Sequence, residues 1–291
     1  MVHQYCFGIK QYVSGTGRRA VWRAVGPAES VALRPQFYFP VDRLPEAVRM
    51  RIARPRIGFC DISGQTNERT MLAALIPRDV VCGNKVPTVS FSSSFPEERM
   101  FAWLAICNSF AFDWLLRRVV TTTINFFHLL DMPFPVIAPK EPSFQALANA
   151  GRRLSEDRAL DPWQRANLRA DLDLGVSALY GLDVSALRMI LNDFPLLDRG
   201  QPALAGEVRS TITRDLLLMR CAERDGIPTR DQRETLHNRV RAARLAGAVP
   251  YIPSFLRGTK IDGERDSSGK AADHFDPRNP GGRCKEAAGQ I

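Results

Sequence analysis

The densest hydrophobic stretch of the chain, residues 94–137, predicts one long buried helix, a polar hinge and a short apolar segment closed by two prolines. Ser94 and Glu97 have the N-cap and N3 spacing of a capping box, and Arg117 and Arg118 stand where the helix dipole favours cations. Apolar residues occupy nearly every face between them: Phe101, Trp103, Leu104, Ile106, Phe110, Phe112, Trp114 and Leu115. A helix that is apolar on all sides belongs inside a domain.

Polar residues limit the length of this stretch. Asn108, Ser109 and Asp113 interrupt it, so it is too short and too broken to span a bilayer. No stretch of the chain reaches 18 apolar residues, and the first residues contain no apolar run of signal-peptide length. We therefore expect a cytoplasmic protein with no membrane partner.

Before the predicted helix, the pattern favours short β-strands separated by glycine and proline turns. A polar turn, residues 63–70, separates the last two of these strands. The candidate strands are residues 21–25, 37–39, 54–62 and 71–77, and a glycine-rich hairpin turn is predicted at residues 14–17.

After Pro135 the pattern changes to amphipathic helices. Asp161 and Gln164 have capping-box spacing, and Asp183 and Thr229 stand where they would cap two further helices. The polar, glycine-rich end of the chain predicts disorder. The whole pattern predicts an α+β fold: a mixed β-sheet domain with a buried helix at 1–140, an all-α segment at 141–257 and a disordered tail at 258–291.

Composition places the chain among globular proteins and leaves its partner open. The 291 residues are 45% hydrophobic and 24% charged, with a formal net charge of +9. A basic balance suits a polyanion such as nucleic acid, because contacts to phosphates supply most non-specific affinity. Arginine far outnumbers lysine, which is equally typical of a GC-rich genome. The six scattered cysteines contain no C-x-x-C pair, which favours free thiols over a zinc site.

Three blocks of sequence carry a resemblance to a known family. The first is the helix ending in Arg117 and Arg118, a threonine-rich stretch, an asparagine followed by aromatics, and L-x-x-x-P-x-P. The second is F-C-D-I-S-G-Q-T-N-E-R-T-M-L-A-A-L-I-P at 59–77, and the third is A-L-Y-G-L-D-V-S-A-L-R-M-I-L-N-D-F-P-L-L-D-R-G-Q-P followed by E-V-R-S-T-I-T-R-D-L-L-L. Together they resemble the target-recognition region of type IIG restriction–modification DNA adenine-N6 methyltransferases. Cys60 departs from the pattern, since arginine is common at that position.

The resemblance implies double-stranded DNA as a partner and a methyltransferase catalytic domain supplied in cis or in trans. Residues 1–5 resemble the stretch that follows that catalytic domain, so we expect the chain to be the C-terminal part of a longer architecture. S-adenosylmethionine would bind to the catalytic domain and not to this chain. The Asn-Pro-Pro-Tyr motif that holds a flipped adenine is absent, because Asn279-Pro280 is followed by two glycines. No nuclease motif and no histidine ligand spacing is present.

The candidate DNA-binding residues are polar or basic side chains on the predicted loops, where a scaffold can hold them rigidly against base edges. Each has a structural alternative. Asn67 can satisfy the backbone of its own turn, Asn125 can cap the next segment, and Glu68 and Arg69 favour an ion pair that fixes the turn. The candidates are Arg18, Arg19, Arg54, Arg56, Asn67, Asn84, Lys85, Thr121, Thr122, Thr123 and Asn125.

Two other hypotheses stay open beside DNA recognition. The chain could be a non-catalytic protein-interaction subunit of a phage-defence complex that docks through its helical half. It could also be the remnant of a truncated gene. The basic last helix, predicted from the cap at Thr229 through Arg244, either follows phosphates or presents a solvated face.

Overall fold

A computed structural model describes residues 2–25, 35–225 and 229–256 of the chain. The strands are β1 (Val2–His3), β2 (Cys6–Phe7), β3 (Lys10–Ser14), β4 (Val21–Ala24), β5 (Arg56–Phe59), β6 (Ala73–Ile76) and β7 (Thr88–Val89). The helices are α1 (Glu46–Ile52), α2 (Glu98–Cys107), α3 (Phe110–Val119), α4 (Phe126–Asp131), α5 (Pro142–Glu156), α6 (Pro162–Leu179), α7 (Val184–Asn192), α8 (Ile212–Asp225) and α9 (Arg230–Leu245). This content confirms an α+β fold.

The described strands form small antiparallel sheets, so the prediction of a mixed sheet was wrong. β5 lies between β6 and β7 in a three-stranded sheet, and β1–β2 and β3–β4 form two hairpins. The connections inside the two hairpins, residues 4–5 and 15–20, are too short for the helical crossover that a parallel pair requires. Residues 37–39 form no strand either, because prolines at 35 and 40 flank them and their aromatic side chains are exposed.

The predicted central helix is two helices, α2 and α3, with a break at Asn108 and Ser109. The Ser109 hydroxyl accepts a hydrogen bond from the Phe112 amide at 3.2 Å and so caps α3. The Asn108 side chain exchanges two hydrogen bonds with the backbone of Ala73 on β6, at 2.9 and 3.0 Å. The break therefore ties the helices to the sheet.

The capping box predicted at Ser94 does not form. α2 begins at Glu98, and Ser94 instead pairs its hydroxyl with that of Ser92 at 2.8 Å. The caps predicted farther along the chain are confirmed. Asp161 with Gln164, Asp183 and Thr229 each accept backbone amides at the starts of α6, α7 and α9.

α2 and α3 lie at the centre of the fold, as predicted for an apolar stretch. Phe101, Leu104, Phe110 and Leu116 are each fully buried. One hydrophobic cluster joins β5 and β6 to α2, α3, α5 and α6, and a second joins α3 and α6 to α7, α8 and α9. Since α3 and α6 contribute to both clusters, the segments predicted at 1–140 and 141–257 pack on one another within one compact unit.

The described helices, taken singly, differ from membrane-spanning helices in length or composition. None of them alone has both the length and the apolar composition to cross a bilayer. α6 and α7 together pass on length and composition only, with a bend of 116° between them. The tail predicted at 258–291 lies outside the described residues.

Candidate nucleic-acid interface

Two of the loops predicted to bind DNA pair with each other. The Ser63 amide donates to the Thr122 carbonyl at 3.1 Å, and the Ile124 amide donates to the Asp61 carbonyl at 2.8 Å. An antiparallel bridge joins Ile62 to Thr123 between these two bonds. Residues 61–67 and 121–125 therefore lie side by side, although about sixty residues separate them in the chain.

The third loop, residues 83–85, joins them at Asp61. The Asp61 amide donates to the Lys85 carbonyl at 3.3 Å, and the Lys85 ammonium lies 3.3 Å from Asp61 Oδ2. The Lys85 side chain stays 60% exposed, whereas that of Asp61 is 8% exposed. We call the exposed face formed by residues 61–67, 83–85 and 121–125 the Asp61 surface.

The candidate side chains on the Asp61 surface differ in how free they are. Asn84, Thr121 and Thr122 are exposed, and Thr123 is half-buried. The Asn67 side-chain amide donates to the Ser63 hydroxyl at 3.2 Å. The main-chain carbonyl of Asn67 accepts from Arg117 Nη2 at 2.7 Å. Asn67 is therefore largely engaged within its own turn.

Asn125 has a structural role as well as an exposed position. It is the N-cap of α4, and its side chain and that of His128 form a reciprocal capping box. The Asn125 amide donates to His128 Nδ1 at 3.1 Å. The cap proposed from the sequence is confirmed, and it fixes the direction in which the chain leaves the Asp61 surface.

Arg56 is not available to DNA, which corrects the prediction. Its side chain is 2% exposed, and Nη2 donates to the Val80 carbonyl at 2.5 Å. Burial lowers the pKa of its guanidinium. The segment after β6 folds back over this face of β5 and covers Arg56, so its position at the start of a strand did not make it a surface residue.

The remaining basic candidates lie on other elements. Arg54 is exposed in the turn between α1 and β5, and Arg19 is exposed in a 3-10 turn, Gly17–Arg19, inside the β3–β4 hairpin. Arg18 belongs to the same turn, but its side chain lies outside the described parts. No hydrogen bond or ion pair between described residues connects Arg19 or Arg54 to the Asp61 surface.

A buried ion pair beneath the Asp61 surface fixes its turn. Arg69 Nε lies 2.5 Å from Asp113 Oδ2, with side chains 5% and 0% exposed. The same carboxylate accepts the Thr70 amide at 3.0 Å, and Arg69 Nη2 donates to the Asn108 carbonyl at 2.8 Å. The role expected for Arg69 is confirmed, but its partner is Asp113 on α3 rather than Glu68.

The buried polar network continues toward both ends of the described chain. Gln4 accepts from Arg69 and from Arg169, and Arg169 donates to the Tyr251 carbonyl at 3.3 Å. The Tyr251 hydroxyl donates to Asp173 Oδ2 at 3.2 Å, and Asp173 Oδ1 accepts the Phe110 amide at 2.8 Å. The network links the first strands, the helix break and the last described segment.

Desolvation controls the charge states in this network. Burial raises the pKa of the Asp173 carboxyl from its usual 3.8 to about 6, while Arg69 and Arg169 act to lower it. Burial also lowers the pKa of Arg169 and raises that of Tyr251 well above its usual range. These polar groups satisfy one another, so the network is suited to bracing the fold rather than to catalysis.

This network was not predicted from the sequence, although one signal for it was present. Asp113 lies in an otherwise apolar helix, and a carboxylate there needs a cationic or hydrogen-bonding partner. Gln4, Arg169 and Tyr251 carry no comparable local signal, because their partners are 65 or more residues away. The contacts that bring three loops together at Asp61 were not predicted either, because they join residues that are far apart in the chain.

The one glycine-rich candidate for a cofactor loop, residues 14–17, does not fit S-adenosylmethionine. It closes the β3–β4 hairpin instead of joining a strand to a helix. A Cβ on Gly15 would lie 2.3 Å from the Arg19 carbonyl oxygen, so the loop's own backbone occupies that space. The described residues also contain no cluster of three or more His, Cys, Asp or Glu that could hold a metal ion.

Comparison of the chain with family models, with curated proteins and with solved structures finds no match.

Proposed function

We propose that this chain is the DNA sequence-recognition part of a site-specific adenine DNA methyltransferase that acts in restriction–modification or phage defence. The observation that carries the proposal is the meeting of three separate loops at Asp61. Each of these loops carries a DNA-binding candidate predicted from the sequence. Convergent polar loops on a rigid scaffold are the usual form of a recognition site.

The side chains of the Asp61 surface suit reading of the major groove. Asparagine pairs with adenine through two hydrogen bonds, lysine reaches guanine, and threonine contacts either polar edges or the thymine methyl group. We assign these contacts to Asn84, Lys85, Thr121 and Thr122, which are exposed. Thr123, Asn125 and Asn67 position the loops through the contacts described above.

The rigidity of this surface supports the same role. Each loop is fixed by backbone bonds, and the buried Arg69–Asp113 pair holds the 61–70 turn on α3. A site held in one conformation loses less entropy when it binds. Methyl transfer itself would require S-adenosylmethionine on a catalytic domain in cis or in trans, since the chain lacks the Asn-Pro-Pro-Tyr motif.

A gel shift tests the proposal. Duplex DNA would be titrated with the chain, alone and with an adenine methyltransferase catalytic domain, at about 50 mM salt, where phosphate contacts are strong. The variant Asn84→Ala/Lys85→Gln should weaken binding about tenfold or more, because a good contact to a base contributes about 1–3 kcal/mol. The control Lys140→Gln/Asn192→Ala makes the same chemical changes at exposed positions elsewhere. Absence of binding by the wild type in both arms would reject the proposal.

A second candidate function is protein interaction within a defence complex, and exposed apolar side chains on α4 favour it. Phe126, Phe127 and Leu130 are 50%, 57% and 82% exposed. α4 follows the Asp61 surface directly, so a catalytic domain bound there would lie beside the DNA. Replacing Phe127 and Leu130 by serine should weaken co-elution with that domain without changing DNA affinity.

A further inference from the structure

The last described helix, α9, carries a line of basic side chains along one face. The spacing of three or four residues repeats the helical period, so these side chains point in nearly the same direction. The line spans about 21 Å at 1.5 Å per residue. We call it the α9 stripe, and it consists of Arg230, Arg233, His237, Arg241 and Arg244.

The rest of α9 explains why the stripe faces solvent. Leu236, Val240 and Ala243 form the face that packs against the second hydrophobic cluster. Arg239 lies beside that face and is only half-exposed, because it pairs with Asp215 at 2.9 Å and with Glu207 at 2.7 Å. The stripe therefore lies on the part of the helix that faces away from the packed side.

Three arginines of the stripe form no ion pair with another residue that the structure describes. Arg230, Arg233 and Arg241 are exposed, and none has an ion-pair partner among the described residues. His237 lies 3.5 Å from Glu223, and Arg244 stacks over the Trp163 ring at 4.8 Å. Arg230, Arg233 and Arg241 are thus available to a ligand, whereas Arg244 is held against Trp163.

The chemistry of the stripe fits a phosphate backbone better than other anions. Arginine binds phosphate oxygens through two parallel hydrogen bonds, which lysine cannot do. A linear array of cations matches a linear polyanion with one phosphate per 3.4 Å along each strand. A membrane-binding helix would need an exposed apolar face, whereas the apolar face of α9 is buried in the fold.

We propose that the α9 stripe binds the sugar–phosphate backbone of duplex DNA. Contacts of this kind add affinity and fix orientation without reading sequence. The proposal rests on the proposed function for its partner, but it concerns a second surface, on an element separate from the loops of the Asp61 surface. It predicts that part of the affinity of the chain is independent of sequence and is lost with salt.

The test is the salt dependence of binding. The full chain would be titrated onto a fluorescent duplex of random sequence between about 50 and 200 mM salt, and log K plotted against log salt. The variant Arg230→Gln/Arg233→Gln/Arg241→Gln should reduce the slope by about 3 and the affinity at least about tenfold, because three phosphate contacts are removed. Glutamine keeps the helix propensity, so the helix itself should be retained.

Two further variants make the outcome specific. Arg49→Gln/Arg188→Gln/Arg199→Gln removes the same charge from exposed positions on other elements and should leave the slope near that of the wild type. Arg230→Lys/Arg233→Lys/Arg241→Lys should restore most of the slope, because charge rather than shape controls counterion release. An equal decrease of the salt slope in the stripe and control variants, or no decrease in either, would overturn the proposal.

Failure of this inference can be separated from failure of the proposed function. If the slope of log K against log salt is smaller in the stripe variant but no duplex sequence is preferred, phosphate binding by the α9 stripe is supported and sequence recognition is rejected. If a duplex sequence is preferred but the salt slope is unchanged in the stripe variant, sequence recognition is supported and phosphate binding by the α9 stripe is rejected. Binding of the stripe only to an acidic protein, with no effect on DNA, would also overturn it.

Discussion

Asp113 is the residue on which the Asp61 surface depends most. Its carboxylate is completely buried in a run of apolar side chains and holds both Arg69 and the Thr70 amide. Arg117 approaches the same carboxylate at 4.0 Å and donates to the Asn67 carbonyl at 2.7 Å. One side chain thus connects the central helix to the loop that carries the candidate contacts.

Replacing Asp113 by asparagine should cost about 3–5 kcal/mol of unfolding free energy, because it leaves the buried Arg69 guanidinium without a counter-charge. Urea unfolding measures this change. The double variant Arg69→Met/Asp113→Leu should recover part of the loss, since apolar side chains of similar volume often replace a buried ion pair. A cost below about 1 kcal/mol for Asp113→Asn would show that the pair does not brace the turn.

Asp173 should make stability depend on pH in the opposite sense to most carboxylates. Its pKa is raised from 3.8 to about 6 in the folded state, so the folded state binds an extra proton between these values. Stability from this group is therefore fully present below about pH 4, and is lost as pH rises through about 6. The cost at neutral pH is about 3 kcal/mol on the scale of 1.4 kcal/mol per pKa unit.

The check on Asp173 compares wild type with Asp173→Asn, which still offers an oxygen to the Phe110 amide. The unfolding free energy of the variant relative to the wild type should rise by up to about 3 kcal/mol between pH 4 and pH 7. Asp231→Asn, at an exposed position, controls for the loss of one carboxylate. A difference that stays constant with pH would contradict the assignment.

At the scale of elements, α2 and α5 pack unusually closely at a glycine. A Cβ on Gly151 would lie 2.5 Å from the Phe101 carbonyl oxygen, a backbone atom that cannot move alone. Gly175 on α6 is different, because its Cβ would meet only a side-chain carbon of Leu147 at 3.5 Å, an ordinary contact. The two helical glycines therefore make a matched pair.

Gly151→Ala should destabilise the fold by about 1–3 kcal/mol, because the helices must separate. Gly175→Ala should stabilise it by about 0.5–1 kcal/mol, because alanine is the better helix former and its methyl group fits. Thermal or urea unfolding of both variants decides the matter. A change of the same sign in the unfolding free energy of both variants would contradict the close approach of α2 and α5.

Local signals in the sequence predicted many of these elements. The helix starts at Asp161, Asp183 and Thr229 were predicted because a cap depends on neighbouring residues only. The break between α2 and α3 was not predicted, since Asn108 is stabilised by Ala73, 35 residues away. The burial of Arg56 was missed for the same reason, because a later segment covers it.

In the molecule as a whole, the described residues pack as one compact unit around shared clusters, and the Asp61 surface is part of that unit. The sequence predicted which loops carry candidate DNA-binding residues, and the fold brings three of these loops together. Among the described residues, no hydrogen bond or ion pair joins Arg19 or Arg54 to that surface. Under the proposed function, contacts to bases and contacts to phosphates would come from different parts of the chain.

The most direct test of the central claim is selection from a pool of duplexes with a random central segment. The chain, alone and with a methyltransferase catalytic domain, would be equilibrated with the pool, and the bound DNA sequenced. We expect an enriched, defined site in at least one arm, and its loss in Asn84→Ala/Lys85→Gln but not in Lys140→Gln/Asn192→Ala. Bound DNA with the same base composition as the input in both arms, or an enriched site that survives the Asp61-surface variant unchanged, would contradict it.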